Sequence, residues 1–207
     1  MELSQIAGFW MVALMLTLTP GADWAYAIGV GVQGKLIVPS IAGMLAGYGV
    51  VISVVSVGLG QLVVANHGAM TTLTLAGSGY LFWNGYRSLD RGKALSITTM
   101  TAEQSWFGNF ARGAGITSIN PAGIMLLLVL LPQFAKAGAG LALPIQLALL
   151  GCIFLVNAVV VYTLLALLSK RVLTRKPSIT RIVGRLTSVA MIGIAVVMAG
   201  RQLLQLG

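Results

Sequence analysis

The feature that most constrains this chain is a break set inside a hydrophobic run. Leu14-Met15-Leu16-Thr17-Leu18-Thr19-Pro20-Gly21-Ala22-Asp23 places a proline, a glycine and a carboxylate where the surrounding residues read as a membrane-spanning helix. Pro20 lacks a backbone donor, and its ring collides with the carbonyl one turn earlier. Gly21 adds backbone freedom. In lipid the freed N–H and C=O groups have no water to bond, so the break is tolerated only inside protein or beside a wet cavity. Asp23 is the only carboxylate within a hydrophobic span, and an acid near mid-membrane costs at least about 2.5–3.5 kcal/mol on an insertion scale. The stretch is therefore expected to form part of a substrate or proton site in a transporter.

Composition fixes the class as an all-α integral membrane protein. Of 207 residues, 57% are hydrophobic and 8% charged, with mean hydropathy +0.94. A soluble domain carries about 25% charged residues. Six spans of about 20 residues need roughly 120–140 residues. The remainder suffices for short loops and one longer one, so residues 1–207 read as a single transmembrane domain. The net charge of +9 does not point to nucleic acid, because the basic residues lie in loops between hydrophobic runs, where they set topology. The single cysteine, Cys152, excludes an internal disulfide and reads as a small packing residue in an apolar run. Ala25-Tyr26-Ala27 fits a small-x-small cleavage site. Met1-Glu2-Leu3-Ser4-Gln5, however, carries an acid and no Lys or Arg, and the apolar run is longer than a signal peptide's, so cleavage is not expected.

Six transmembrane helices are expected, at about 6–30, 38–64, 70–86, 113–134, 143–168 and 186–206. The first is broken near Pro20, and the fourth carries Asn120-Pro121 near its middle. Gly43-Met44-Leu45-Ala46-Gly47 reads as close helix packing through small residues four apart. Asn157, inside the fifth span, reads as an interhelical contact. Asn66-His67-Gly68 reads as a tight turn, with His67, the only histidine, in solvent. The aromatics between Tyr80 and Tyr86 suit a membrane interface. A hydrophilic linker at about 88–112 separates a first half, about 5–88, from a second, about 113–207. Trp106, Phe107 and Phe110 suggest a short interfacial segment at its end.

The basic residues orient these spans. Lys35 lies in the first loop. Arg87, Arg91, Lys93 and Arg112 lie in the third, and Lys170, Arg171, Arg175, Lys176, Arg181 and Arg185 in the fifth. These are eleven of the thirteen Lys and Arg, leaving Lys136 and Arg201. The positive-inside rule puts the odd loops in the cytoplasm and both termini in the periplasm.

Shifting the chain by 101 residues lays LMLTLTPGADWA at 14–25 on AGITSINPAGIM at 114–125, so that Pro20 meets Pro121 and Thr19 meets Asn120. Each break falls in the first helix of a three-span half, and an odd number of spans inverts one half relative to the other. The expected fold is two inverted three-helix repeats with helices 1 and 4 interrupted by proline. Proline-interrupted segments at matching positions of two halves point to a transporter's binding site. Exposed N–H groups at the start of a second half-helix suit a carboxylate, while free carbonyls and Asp23 suit an ammonium. Asp23 also suits a proton, since burial disfavours a carboxylate's charged form. Structural roles stay open at this point. Asp23 can bond freed backbone N–H groups, and Asn120 can satisfy the backbone around Pro121.

Three motifs stand in order: Thr19-Pro20-Gly21-Ala22-Asp23, then Phe110-Ala111-Arg112-Gly113 with Ile119-Asn120-Pro121, then Leu131-Pro132-Gln133-Phe134. Together they resemble the TPGP(D/N), F-x-x-G…NP and LPQF segments of the LysE/RhtB amino-acid exporters, with Ala22 where that family usually has a second proline. The resemblance covers essentially the whole chain. It implies a bacterial inner-membrane secondary transporter that exports amino acids or close derivatives by alternating access, driven by protons and working without a cofactor. Carried over by motif, the substrate- or proton-binding residues are Thr19, Pro20, Gly21, Asp23, Asn120 and Pro121. The partners expected are an amino-acid substrate, protons and the lipid bilayer, with homo-oligomer formation left open. The rival readings are a non-transporting membrane scaffold and an exporter of another small metabolite or ion. A soft-metal site is disfavoured by one cysteine and one loop histidine. No Ser/His pairing or paired intramembrane carboxylates suggest an enzyme.

Overall fold

The computed structural model describes residues 2–34, 36–59, 66–90, 105–136, 140–169 and 177–204. Among these residues the chain is helical throughout, without strands: α1 (Leu3–Thr17), α2 (Ala22–Gln33), α3 (Ile37–Val54), α4 (His67–Asp90), α5 (Trp106–Ile119), α6 (Pro121–Gln133), α7 (Leu143–Leu168) and α8 (Pro177–Leu204). A π-helical turn, Val55–Leu59, continues α3. Lys35, Arg91, Lys93, Lys170, Arg171, Arg175, Lys176, the linker from 91 to 104 and the side chains of His67 and Arg181 lie outside the described residues.

Among the described residues two single helices are long and apolar enough to cross a membrane: α3 with its π turn, Ile37–Gly58, and α7. Two bent pairs match them when each is counted as one span: α1 with α2, bent by 62°, and α5 with α6, bent by 61°. At about 1.5 Å per residue, the 26 residues of α7 exceed the ~30 Å hydrocarbon layer. Its Pro144 sits in the first turn, where a missing N–H breaks no helical bond. α4 and α8 are 24 and 28 residues long. α4 carries more polar groups, and two of them, Thr74 and Ser78, are buried against protein. The apolar part of α8 is Ser188–Leu204.

Capping moves several helix starts from where hydrophobicity alone puts them. The Ser105 hydroxyl accepts from the Gly108 N–H at 2.9 Å, so α5 begins at Trp106 rather than near 113. The expected interfacial segment is simply its first turn, with Trp106 stacked on Phe110 at 5.7 Å. Asn66-His67-Gly68 is not a tight turn. The Asn66 side chain accepts from the Ala69 N–H at 3.1 Å and its carbonyl accepts from the Met70 N–H at 2.9 Å, which caps α4. α8 begins at Pro177, so 177–185, expected as loop, is helical.

Small residues let α3 and α5 pack closely. A Cβ on Gly43 would strike the Phe110 carbonyl, one on Gly47 the Thr117 hydroxyl, and one on Gly113 the Ser40 carbonyl. α3 and α5 therefore touch backbone to backbone, as small-residue stripes permit. The Thr117 hydroxyl donates across the contact to the Met44 carbonyl at 2.9 Å. Tyr26 ties α2 to α5 through the Asn109 carbonyl at 3.0 Å. The Asn157 amide reaches the Trp10 carbonyl of α1 at 3.4 Å. Cys152, expected to pack inside, is exposed on α7. A helix that is apolar all round offers no sequence cue to which side faces protein.

Candidate functional site

The site grows out of the break between α1 and α2. Each of the last four carbonyls of α1 is taken up locally. Leu14 accepts from the Leu18 N–H at 3.0 Å and the Thr17 hydroxyl at 2.9 Å. Met15 accepts from the Thr19 hydroxyl at 3.1 Å, and Leu16 from the Thr19 N–H at 3.0 Å. The Thr17 carbonyl accepts from the Trp24 indole N–H at 2.9 Å, so a side chain in the first turn of α2 reaches back across the bend. Protein donors thus already bond the four carbonyls that the end of α1 leaves open. The other end differs. The N-cap of α2 is Gly21, and no side chain caps it. Its first-turn N–H groups face the break, where the helix dipole favours an anion.

The second break is shorter. Asn120 is extended, with φ −66° and ψ 105°, as the residue before a proline prefers. Pro121 opens α6, the position where proline fits best. Only the backbone of Pro121 is described.

The two breaks meet through side chains. The Asn120 amide donates to Asp23 Oδ2 at 3.0 Å. The Tyr48 hydroxyl of α3 donates to the same oxygen, and the Tyr162 hydroxyl of α7 lies 3.5 Å from it. Asp23 is 8% exposed. Its other oxygen, Oδ1, is buried with no hydrogen-bond partner among the described residues. All three of its partners are neutral donors. Buried carboxylate oxygens are rarely left unpaired, so Oδ1 is an acceptor position awaiting a donor.

A cavity of about 190 Å³ opens here. It is smaller than the ~300–1,000 Å³ of pockets for drug-sized molecules, and suits a small metabolite. Thr19, Pro20, Gly21, Asp23 and Asn120 all line it. So do residues that sequence reasoning passed over: Tyr48, Phe154 and Tyr162 from the apolar helices, Tyr80 and Asn84 from α4, and Met191 from α8. The signal available was a phenol inside an apolar span, whose hydroxyl needs a partner once buried. Tyr80 belongs to this wall, whereas Phe82, Trp83 and Tyr86 are exposed as an interfacial belt requires. The Thr19 hydroxyl also contacts the Met191 sulfur at 3.5 Å. Among the described residues no three His, Cys, Asp or Glu side chains gather as a metal site would need.

Residues 14–202 match the family model for LysE type translocators. The chain belongs to that family. Both breaks and every described residue around Asp23 fall within the matched segment of this translocator. The homoserine/homoserine lactone efflux proteins of Salmonella typhimurium and Salmonella typhi are 34% and 33% identical to it over 128 residues. Each match covers 60% of this chain and 61% of the relative. An uncharacterized membrane protein of Vibrio cholerae is 27% identical over 136 residues, 65% of this chain and 66% of that protein. No solved structure matches the translocator.

Proposed function

We propose that this protein exports small amino acids or close derivatives across the bacterial inner membrane by proton-coupled alternating access. The observation that carries the reading is Asp23 Oδ1, a buried acceptor without a partner among the described residues, on a cavity where two broken helices meet. Tyr48, Asn120 and Tyr162 hold Oδ2 and leave Oδ1 for a cationic donor. A substrate ammonium and a proton compete for that one oxygen, which is the simplest way to exchange outward substrate for inward proton. The first-turn N–H groups of α2 suit a carboxyl group on the same substrate. Homoserine and its lactone, named for two relatives, share the amino group and differ at the carboxyl. Asp23 therefore meets the part common to both.

The architecture proposed is six spans in two inverted halves, with odd loops cytoplasmic and both termini periplasmic. The near-equal bends of 62° and 61° support it. Rocking one half against the other would open the cavity to each side in turn.

Efflux from intact cells tests the reading. Cells loaded with dipeptides to raise internal amino acids, or with L-homoserine, are compared by mass spectrometry of the medium. Wild type is expected to export a subset that Asp23→Asn at equal abundance does not. A medium identical to that of empty-vector cells across the panel would remove the exporter reading. Normal export by Asp23→Asn would remove the site assignment alone.

A further inference from the structure

A second and larger cavity, about 630 Å³, lies between α1, α4, α6 and α8. Its position relative to the Asp23 cavity follows from chain order alone. On α1, Met15 lines the larger cavity and Thr19 the smaller. On α4, Thr74 lines the larger and Asn84 the smaller. On α6 the pair is Gln133 and Gly123, and on α8 it is Arg201 and Met191. Along all four helices the larger cavity is displaced toward one face, the face that carries the start of α1 and the end of α8. The two cavities are neighbours. On α1 Met15 lines the larger and Leu16 the smaller, and on α8 Ala190 lines the larger and Met191 the smaller.

The polar groups of this cavity form a donor set. Gln133 Nε2 is buried with no hydrogen-bond partner among the described residues. Arg201 makes no ion pair among the described residues. Lys136, the other basic residue expected on this face, sits 3.7 Å from Glu2. The neighbouring Gln202 amide is already committed to the Thr71 hydroxyl at 2.9 Å. The orphaned amide N–H of Gln133 calls for an acceptor, and the exposed Arg201 guanidinium at the cavity's edge suits the same group, a carboxylate.

We propose that this cavity is the outer vestibule of the export route and a second substrate site. Gln133 and Arg201 there receive the substrate's carboxylate after its ammonium has left Asp23. The proposal rests on the exporter reading above and adds residues and a ligand group to it. Because Arg201 supplies charge, the site prefers homoserine, which carries a carboxylate, over its lactone, which does not.

The test uses the full chain in cells, with the exposed Cys152 replaced (Cys152→Ser) and a reporter, Met198→Cys, in the vestibule wall. A membrane-impermeant maleimide is applied from the periplasmic side. Labelling is expected, with L-homoserine slowing it at lower concentration than homoserine lactone. Gln133→Leu and Arg201→Gln are each expected to raise the half-protecting homoserine concentration about tenfold or more. Arg201→Gln should also erase the preference over lactone, and Arg201→Lys should keep it, which separates charge from folding. Failure to label from that side overturns the proposal. So does labelling that L-homoserine does not slow in cells that export it, an outcome that leaves the exporter reading standing and makes the cavity a lipid-filled gap. Absence of both export and protection removes both.

Discussion

The two breaks bend their helices by nearly the same angle, 62° and 61°, yet they are made of different parts. The first spans Leu18 to Gly21, consumes its own carbonyls and ends on an uncapped helix bearing Asp23. The second is the single extended residue Asn120 before a helix that starts on proline. Pro20 and Pro121 align in sequence but do not occupy equivalent positions, since α2 begins at Ala22 and α6 at Pro121 itself. The shared bend is a geometric solution that any nearby proline can supply. The chemistry is asymmetric: one break brings the charge and the other brings an amide to orient it.

That asymmetry predicts unequal consequences. The largest is Asp23→Asn, which removes the only charge among the described residues that line the cavity. Losing one partner of a desolvated charge pair costs about 2–5 kcal/mol, so initial export rates at low substrate should fall at least about thirtyfold. Asn120→Leu removes a donor to that charge and should cost about tenfold in the same assay. Equal losses would make the two breaks equivalent and break the comparison.

Trp24→Phe probes a device found at the first break. It keeps the ring but strands the Thr17 carbonyl, at about 1–3 kcal/mol. The thermal midpoint of the purified protein should fall by about 2–12 °C, at 2–4 °C per kcal/mol. An unchanged midpoint would mean that the bend is held elsewhere. The two phenols sharpen the picture further. Tyr48 is the closer donor and Tyr162 lies at 3.5 Å, so Tyr48→Phe should weaken half-saturation more than Tyr162→Phe in export titrations. The smallest effect belongs to Gly21→Ala. Gly21 is extended at φ −158°, and nothing lies within 4 Å of an added Cβ. Export should stay within about twofold, where a larger loss would show that Gly21 needs a conformation only glycine adopts.

These contrasts also explain what the sequence let one read. Proline, glycine and a carboxylate inside apolar runs are costly in lipid, so Pro20, Asp23 and Asn120-Pro121 stand out without a structure. Tyr48 and Tyr162 do not, because a phenol in an apolar helix passes as core, and which way it faces depends on helix rotation. Trp24 is harder still. Its bond to Thr17, seven residues back, exists only because the chain folds by 62° between them. Helix starts at Trp106 and His67 were hidden because single polar caps, Ser105 and Asn66, override hydrophobicity at the ends. The outward face of Cys152 had no cue in a helix apolar on every side.

The most direct test of the central claim, one acid shared by substrate and proton, is the binding of L-homoserine to purified protein as a function of pH. Competition at Asp23 predicts that the apparent Kd is flat where the free acid is ionised. Below that range it rises about tenfold per pH unit as protons occupy the site, with one proton released for each substrate bound. Asp23→Asn should abolish both the pH slope and the proton release. Tight binding that is independent of pH and releases no proton would contradict the account.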